Sequence, residues 1–128
     1  MKKLTFLSLV VTVFIAFSCS KDAKINRRLD GSWKVVSYNG VAVSGNNSET
    51  YTFNKTKKKE GTGILETVDG GFTVSIPFTY KIEDEKISIT ITFSGLLTET
   101  AILTVTKYKK DHMEFVDSSG GLTVLEPK

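Results

Sequence analysis

Between residues 72 and 93 the chain keeps a strict beat of two. Phe72, Val74, Ile76, Phe78, Tyr80 and Ile82 fall on one side, and Thr73, Ser75, Pro77, Thr79 and Lys81 on the other. After the charged stretch Glu83-Asp84-Glu85, Ile87, Ile89, Ile91 and Phe93 repeat the pattern. Successive side chains of a strand point to opposite faces, so this pattern specifies a β-hairpin with one dry face and one wet face. Its Val, Ile and Thr content suits a pleated, half-buried surface.

The same beat recurs along the chain. Residues 32–38, 50–54, 63–68, 98–109, 112–117 and 122–126 read as further strands, with a short extra segment at 41–43. Asn39-Gly40 is the favoured pair for a tight hairpin turn. Lys110-Asp111 and Ser118-Ser119-Gly120-Gly121 supply two more turns. Eight strands with turn signals every ~8–12 residues fit a sandwich or an up-and-down barrel. Helical periodicity outside the leader does not exceed a turn or two, around residues 25–29. There is no internal repeat and no second domain.

Composition bounds the rest. The chain has 128 residues, 40% of them apolar and 24% charged, which is a globular balance. Its formal charge of +3 comes from 17 basic and 14 acidic residues. Lys2 and Lys3 lie in a leader, so without it the balance is 15 to 14 and the basic character is no argument for nucleic acid. One Cys excludes an internal disulfide, and one His excludes multi-His metal sites.

The leader is residues 1–18. Met1-Lys2-Lys3 is a basic start, and residues 4–17 are an apolar run of 14 broken only by Thr and Ser. A membrane span needs ~20 such residues, so this run fits a secretory signal peptide instead. Cleavage falls at Ser18–Cys19. Ala16-Phe17-Ser18 satisfies an ordinary small-x-small site, which would leave a free thiol at Cys19. The segment also resembles a bacterial lipoprotein signal, which implies a diacylglycerol thioether on Cys19 and a membrane partner through that anchor; Phe17 departs from the usual lipobox. A free thiol in an oxidising compartment is a liability, which favours lipidation. Residues 19–28 then read as the lipidated cysteine and a polar tether. Ser20-Lys21-Asp22 is similar to the sorting signal that sends some Gram-negative lipoproteins to the surface of the outer membrane, although it carries one acid. A solvated tether is the equally simple reading.

Residues 29–128 form the expected domain. Leu29-Asp30-Gly31-Ser32-Trp33-Lys34-Val35-Val36-Ser37 resembles the opening strand of lipocalin-like domains, where Gly-x-Trp starts the barrel. Tyr51-Thr52-Phe53 followed by Gly61-Thr62-Gly63 is similar to the next hairpin. Phe78-Thr79-Tyr80-Lys81-Ile82, an acidic turn and Lys86-Ile87-Ser88-Ile89-Thr90 continue the order. The resemblance is to the lipocalin-like domains of small Gram-negative bacterial lipoproteins. It implies an all-β, eight-stranded antiparallel up-and-down barrel at the outer membrane, acting as a non-catalytic binding module. In many lipocalins an Arg on a late strand stacks across the opening Trp. Here Arg27 and Arg28 are the only arginines and precede the barrel, leaving Lys107 or Lys109 for that place.

Trp33, Phe53, Phe78, Tyr80 and Phe93 are the candidate ligand-lining or core residues. Trp33 lines a pocket or plugs the closed end of the barrel. An eight-stranded barrel is either filled by side chains or holds one small ligand. A cavity would open beneath the loops at Gly45-Asn46-Asn47 and Gly95-Leu96-Leu97. The occupant is a small apolar molecule, a glycan or a protein partner; a filled barrel would present its loops instead. Lys55, Lys57, Lys58 and Lys59 form a solvated hairpin tip or a contact for anionic groups, and the absence of interleaved aromatics argues against nucleic acid. His112 lacks co-ligands, Glu83-Asp84-Glu85 lacks the glycine spacing of a calcium loop, and nothing singles out Glu60, Glu66, Glu99 or Glu114 as a catalytic pair. No catalytic residue, metal site or cofactor is expected.

Overall fold

The computed structural model describes residues 21–43, 46–93 and 97–128, and of Phe93 only the backbone. The leader, Cys19, Ser20, Gly45, Gly95, Leu96 and the Phe93 side chain lie outside the described residues. Among the described residues nine strands follow one another: β1 Gly31–Tyr38, β2 Val41–Ala42, β3 Ser48–Lys57, β4 Glu60–Asp69, β5 Phe72–Glu83, β6 Lys86–Phe93, β7 Leu97–Lys109, β8 His112–Val116 and β9 Leu122–Pro127. β2 is a two-residue annex to β1. The other eight pair antiparallel in the order β1-β3-β4-β5-β6-β7-β8-β9. β1 then pairs with β9, Trp33 opposite Pro127 and Val35 opposite Leu125, which closes the barrel. Closure removes the sheet edges that an open sheet would expose.

Asn39 and Gly40, both at positive φ (51° and 79°), make the expected tight turn after β1. A bulge between Val35 and Ser37 lets β1 bend from β3 towards β9. The burial beat matches the sequence pattern where strands cross the core. Trp33, Phe53, Phe78, Tyr80, Ile82, Ile87, Phe115 and Leu125 are all buried.

Two glycines shape that core. Gly61 lies opposite Tyr80 and Gly63 opposite Phe78 across the β4–β5 ladder. A Cβ at Gly61 would collide with the Tyr80 ring and the Asn54 carbonyl, and one at Gly63 with the Phe78 ring and the Thr52 carbonyl. Both aromatic rings therefore lie over bare backbone, and from there they pack on Phe53, whose centroid is 5.6 Å from Phe78 and 5.3 Å from Tyr80. Edge-to-face pairs at this spacing add ~0.5–1.5 kcal/mol beyond burial.

The expected tether is corrected here. Residues 21–29 form a helix, α1, that packs into one end of the barrel. Asp22, Ile25, Asn26 and Leu29 are buried, a spacing of 3, 1 and 3 that places them on one helical face. Lys21, Lys24 and Arg27 stay exposed on the other. Two of the four buried positions are polar, so hydrophobic periodicity alone passes over the stripe.

Those two polar side chains satisfy the backbone at the barrel end. Asn26 Nδ2 donates to the carbonyls of Lys57, Lys58 and Glu60 at 2.8, 3.2 and 3.2 Å. Its Oδ1 accepts the Tyr80 hydroxyl at 2.6 Å. The Asp22 carboxylate accepts the N–H groups of Asp84 and Glu85 at 3.2 and 3.0 Å, two residues held at positive φ in the β5–β6 turn. Trp33 Nε1 donates to the Leu29 carbonyl at 2.8 Å, capping the end of α1.

Removing these contacts has a defined cost. Asn26→Ala strands three part-buried carbonyls and the buried Tyr80 hydroxyl, and an unmet buried polar group costs ~1–3 kcal/mol. Urea unfolding should therefore show a loss of at least ~2 kcal/mol. Gly63→Ala should cost ~1–3 kcal/mol or more by overpacking, because a fixed backbone carbonyl blocks the methyl as well as the ring.

Candidate functional site

The two ends of the barrel differ. The plugged end carries α1, the β3–β4, β5–β6 and β7–β8 turns and the closing strands. The opposite end, the mouth, carries the β1–β3 connection and the β4–β5, β6–β7 and β8–β9 turns.

Towards the mouth the inward face loses its cover. On β5 the even-numbered positions change from buried at Phe78 to half-buried at Ile76 and exposed at Val74 and Phe72. Phe72 is 80% exposed and Val74 53%, although both share a face with the buried Phe78 and Tyr80. Leu97, on the inward face of β7, is 71% exposed. Beneath them Tyr51, Leu65, Ile91 and Leu103 are half-buried against the core and form a floor. At the mouth a cleft of about 420 Å³ opens between residues 42–43 and the mouth ends of β3 and β4, lined by Val43, Asn47, Glu49, Thr67, Val68 and Asp69 among others, and none of the floor residues lines it. That volume is within the ~300–1,000 Å³ range of small-molecule sites.

One polar pair sits on the same inward face. The Tyr51 hydroxyl donates to Glu49 Oε1 at 3.0 Å. Burial, with the Glu49 carboxylate as a second cause, pushes the Tyr51 phenol well above its ordinary 10.0. The pair is a fixed acceptor and a non-ionising hydroxyl beside an apolar floor, suited to orienting a ligand's polar end.

The mouth is braced on one side and splayed on the other. The Asp117 carboxylate accepts from Ser119 N, Ser119 Oγ, Gly121 N and the Tyr38 hydroxyl at 2.7–3.1 Å. The first two of these contacts in strength, from Ser119 and Gly121, hold its acid below the usual carboxylate value. Asn39 and Leu122 exchange two more bonds at 2.8 Å. On the far side, β5 and β6 pair only from Thr79↔Thr90 down to Glu83↔Lys86. Ile82 N donates to the carbonyl of Lys59, just before β4, so Pro77, five positions earlier, turns its backbone towards β6. Proline has no N–H to give to Thr92, and the ladder stops there. A cleft of about 460 Å³ opens at this point, lined by Thr62, Gly63, Ile64, Pro77, Phe78 and Thr90 among others.

The residues singled out from sequence are distributed unevenly over these features. Trp33 (3% exposed), Phe53 (1%) and Tyr80 (2%) are core, with Trp33 under the plug. Phe78 is core on one side and lines the lateral cleft on the other. Lys107 pairs with Glu114 at 3.5 Å instead of lying over Trp33, while Arg27 and Arg28 share a cleft with that indole. Asp22 is 5% exposed with both oxygens engaged, so a sorting factor would have to pull it off the barrel to read it. Glu60 lies at the plugged end and Glu99 at the mouth, while Glu66 and Glu114 sit on separate strands, β4 and β8. Among the described residues no three His, Cys, Asp or Glu side chains gather to hold a metal. Sequence reasoning gave α1 only as a helical turn around residues 25–29 within a tether, and it missed the Glu49–Tyr51 pair. The signal for the pair was present, since residues two apart on a strand share a face.

Among solved structures, the chain is similar to a lipocalin-like protein from Bacteroides uniformis, with 14% identity over 79% of this chain and 99% of that one, at a TM-score of 0.58. It is also similar to a redesigned β-barrel, with 15% identity over 82% of this chain and 96% of that one, at a TM-score of 0.55. No protein-family model and no curated protein matches the sequence. At such identities the likeness establishes the fold: a closed, lipocalin-like, eight-stranded antiparallel barrel.

The Tyr80 phenol gives a pH test of the plug. Burial, then the charge of Asp30, raises it from 10.0 to about 12. The folded state thus holds this proton more tightly than the unfolded chain does. Stability is unaffected below pH 10 and falls as pH rises from 10 towards 12. Alkaline unfolding followed by Trp33 fluorescence should show this slope, and Tyr80→Phe should make it shallower, leaving the part that the raised Tyr51 phenol contributes.

Proposed function

We propose that this chain is a non-catalytic binding module of the bacterial cell envelope, which takes a small apolar molecule into the mouth of its barrel. The observation that carries this reading is the contrast between the two ends. One end is sealed by a helix with its backbone groups satisfied. The other leaves inward-facing Phe72, Val74 and Leu97 exposed above a half-buried apolar floor. Solvated apolar walls in a concave site are what a hydrophobic ligand removes from water, at ~25 cal/mol for each Å² covered. Glu49 and Tyr51 supply the polar contacts that fix orientation. In this reading Cys19 carries the lipid anchor and the protein belongs to the outer membrane.

A filled barrel that presents its surface to a protein partner is the second reading. Ile64 and Ile102, each 49% exposed, favour it, because they lie on β4 and β7 at positions alternating with the inward Leu65 and Leu103.

A neutral apolar fluorophore such as N-phenylnaphthylamine separates the two. It should brighten on binding, and Phe72→Asp should weaken that binding at least tenfold while leaving urea stability within ~0.5 kcal/mol, as for other exposed positions. No brightening, or binding indifferent to Phe72→Asp, removes the mouth as the ligand site. For the anchor, Cys19→Ser should move the protein from the membrane to the soluble fraction of cells; unchanged fractionation would reject lipidation.

A further inference from the structure

The charges of the chain separate along the barrel axis. Residues 35–54, 61–80, 87–106 and 113–125, which make up the mouth and most of the barrel wall, contain no Lys or Arg. They contain six acids: Glu49, Glu66, Asp69, Glu99, Glu114 and Asp117. The remaining stretches from residue 21 onward run through the plugged half and hold 15 bases against eight acids. The positive pole of this dipole is the plugged end.

Within that pole several cations converge. A cleft of about 560 Å³ opens between the last turn of α1, the start of β1 and the β7–β8 turn. Arg27, Arg28 and Lys110 line it, with Asp30, Ser32 and the edge of Trp33. Lys24, Arg27 and Arg28 line a second concavity of about 250 Å³ on α1. Among the described residues, the salt bridges are Lys21–Glu85, Lys59–Asp22, Lys107–Glu114 and His112–Glu114, so the cleft's cations are in none of them. The one acid in the cleft, Asp30, gives an oxygen to the Lys55 backbone N–H at 3.0 Å. Two guanidinium forks and an ammonium without carboxylate partners match the oxygens of a phosphate.

We propose that this cleft receives the phosphate of an anionic phospholipid, so that the barrel stands plug-down on a negatively charged bilayer with its mouth facing away. The basic field extends past the cleft to Lys55, Lys57 and Lys58 on the β3–β4 hairpin, all exposed at the same end. One soluble phosphate would use the cleft alone, whereas a charged plane uses the whole end. Chain geometry agrees, because Cys19 is two residues before α1 and within ~7 Å of Lys21. The proposal does not depend on a ligand in the mouth or on lipidation of Cys19.

The test uses residues 20–128, which contain the closed barrel and its plug entire. This protein should sediment with vesicles of equal phosphatidylglycerol and phosphatidylcholine, stay in solution with phosphatidylcholine alone, and be released by salt. Arg27→Gln combined with Arg28→Gln should weaken binding roughly 30-fold, at about fivefold per cation near an anionic surface. Asp69→Asn, an exposed charge change of the same size at the mouth, should change it less than twofold. Near-UV dichroism of Trp33 checks that the plug stays seated in each variant. Equal binding to neutral vesicles, no effect of the Arg variants, or a gain with Asp69→Asn as large as the loss with Arg28→Gln would overturn the proposal. So would saturable binding of inorganic phosphate without recruitment to vesicles, which would assign the cleft to a soluble anion.

Discussion

The closed end of this barrel depends on the side chain of one asparagine. Where β3 turns into β4, the part-buried carbonyls of Lys57, Lys58 and Glu60 point at one side chain of α1. A polar group buried there without a partner costs ~1–3 kcal/mol. Asn26 meets them with its amide and uses its own carbonyl for the Tyr80 hydroxyl. The same side chain thus ties the helix to a hairpin tip and to the aromatic core. Ile25 and Leu29 add apolar burial on either side, and Asp22 holds a turn whose two residues adopt left-handed backbone. The helix is therefore part of the fold and not a leash to it.

With one end sealed, access to the interior is decided at the other. Two features keep the mouth from closing. β4 contributes Gly61 and Gly63 to the inward face, and the space they leave is taken low in the barrel by Tyr80 and Phe78. The large inward residues are thereby concentrated near the plug, and the upper inward side chains of β5, Val74 and Phe72, stay exposed. Pro77 then ends the β5–β6 ladder early, so the wall splays beside Phe78. The charge distribution follows the same axis, with bases around the plug and acids around the mouth. The two ends thus face different chemical surroundings, a basic collar against anything anionic and an acidic rim around an apolar basin.

Much of this was legible in the sequence. The eight long strands, the annex at residues 41–42 and the Asn39-Gly40 turn follow from period-two alternation and turn chemistry, which are local properties. The signal failed where burial depends on what lies opposite. Phe72 and Phe78 occupy equivalent positions on one face of one strand, yet one is 80% exposed and the other 4%. Alternation reports which face a side chain joins, not whether that face is covered. The helix was legible only as a turn around residues 25–29, for a related reason. Its buried stripe mixes Asp22 and Asn26 with Ile25 and Leu29, and the two polar residues read as apolar-equivalent only once the carbonyls and N–H groups they satisfy are in view.

The sequence by itself determined the architecture, since strand length, facing and hairpin turns are set by neighbours along the chain. It also determined the separation of charge, because an up-and-down topology turns alternating basic and acidic stretches into opposite ends. Tertiary structure alone decided that residues 21–29 are a plug, that Trp33, Phe53 and Tyr80 belong to the core and that the opening lies at Phe72, Val74 and Leu97. Those outcomes depend on which groups meet across 31 to 63 residues of intervening chain, as Asn26 meets Lys57 and Asp22 meets Glu85, and no local pattern encodes such meetings.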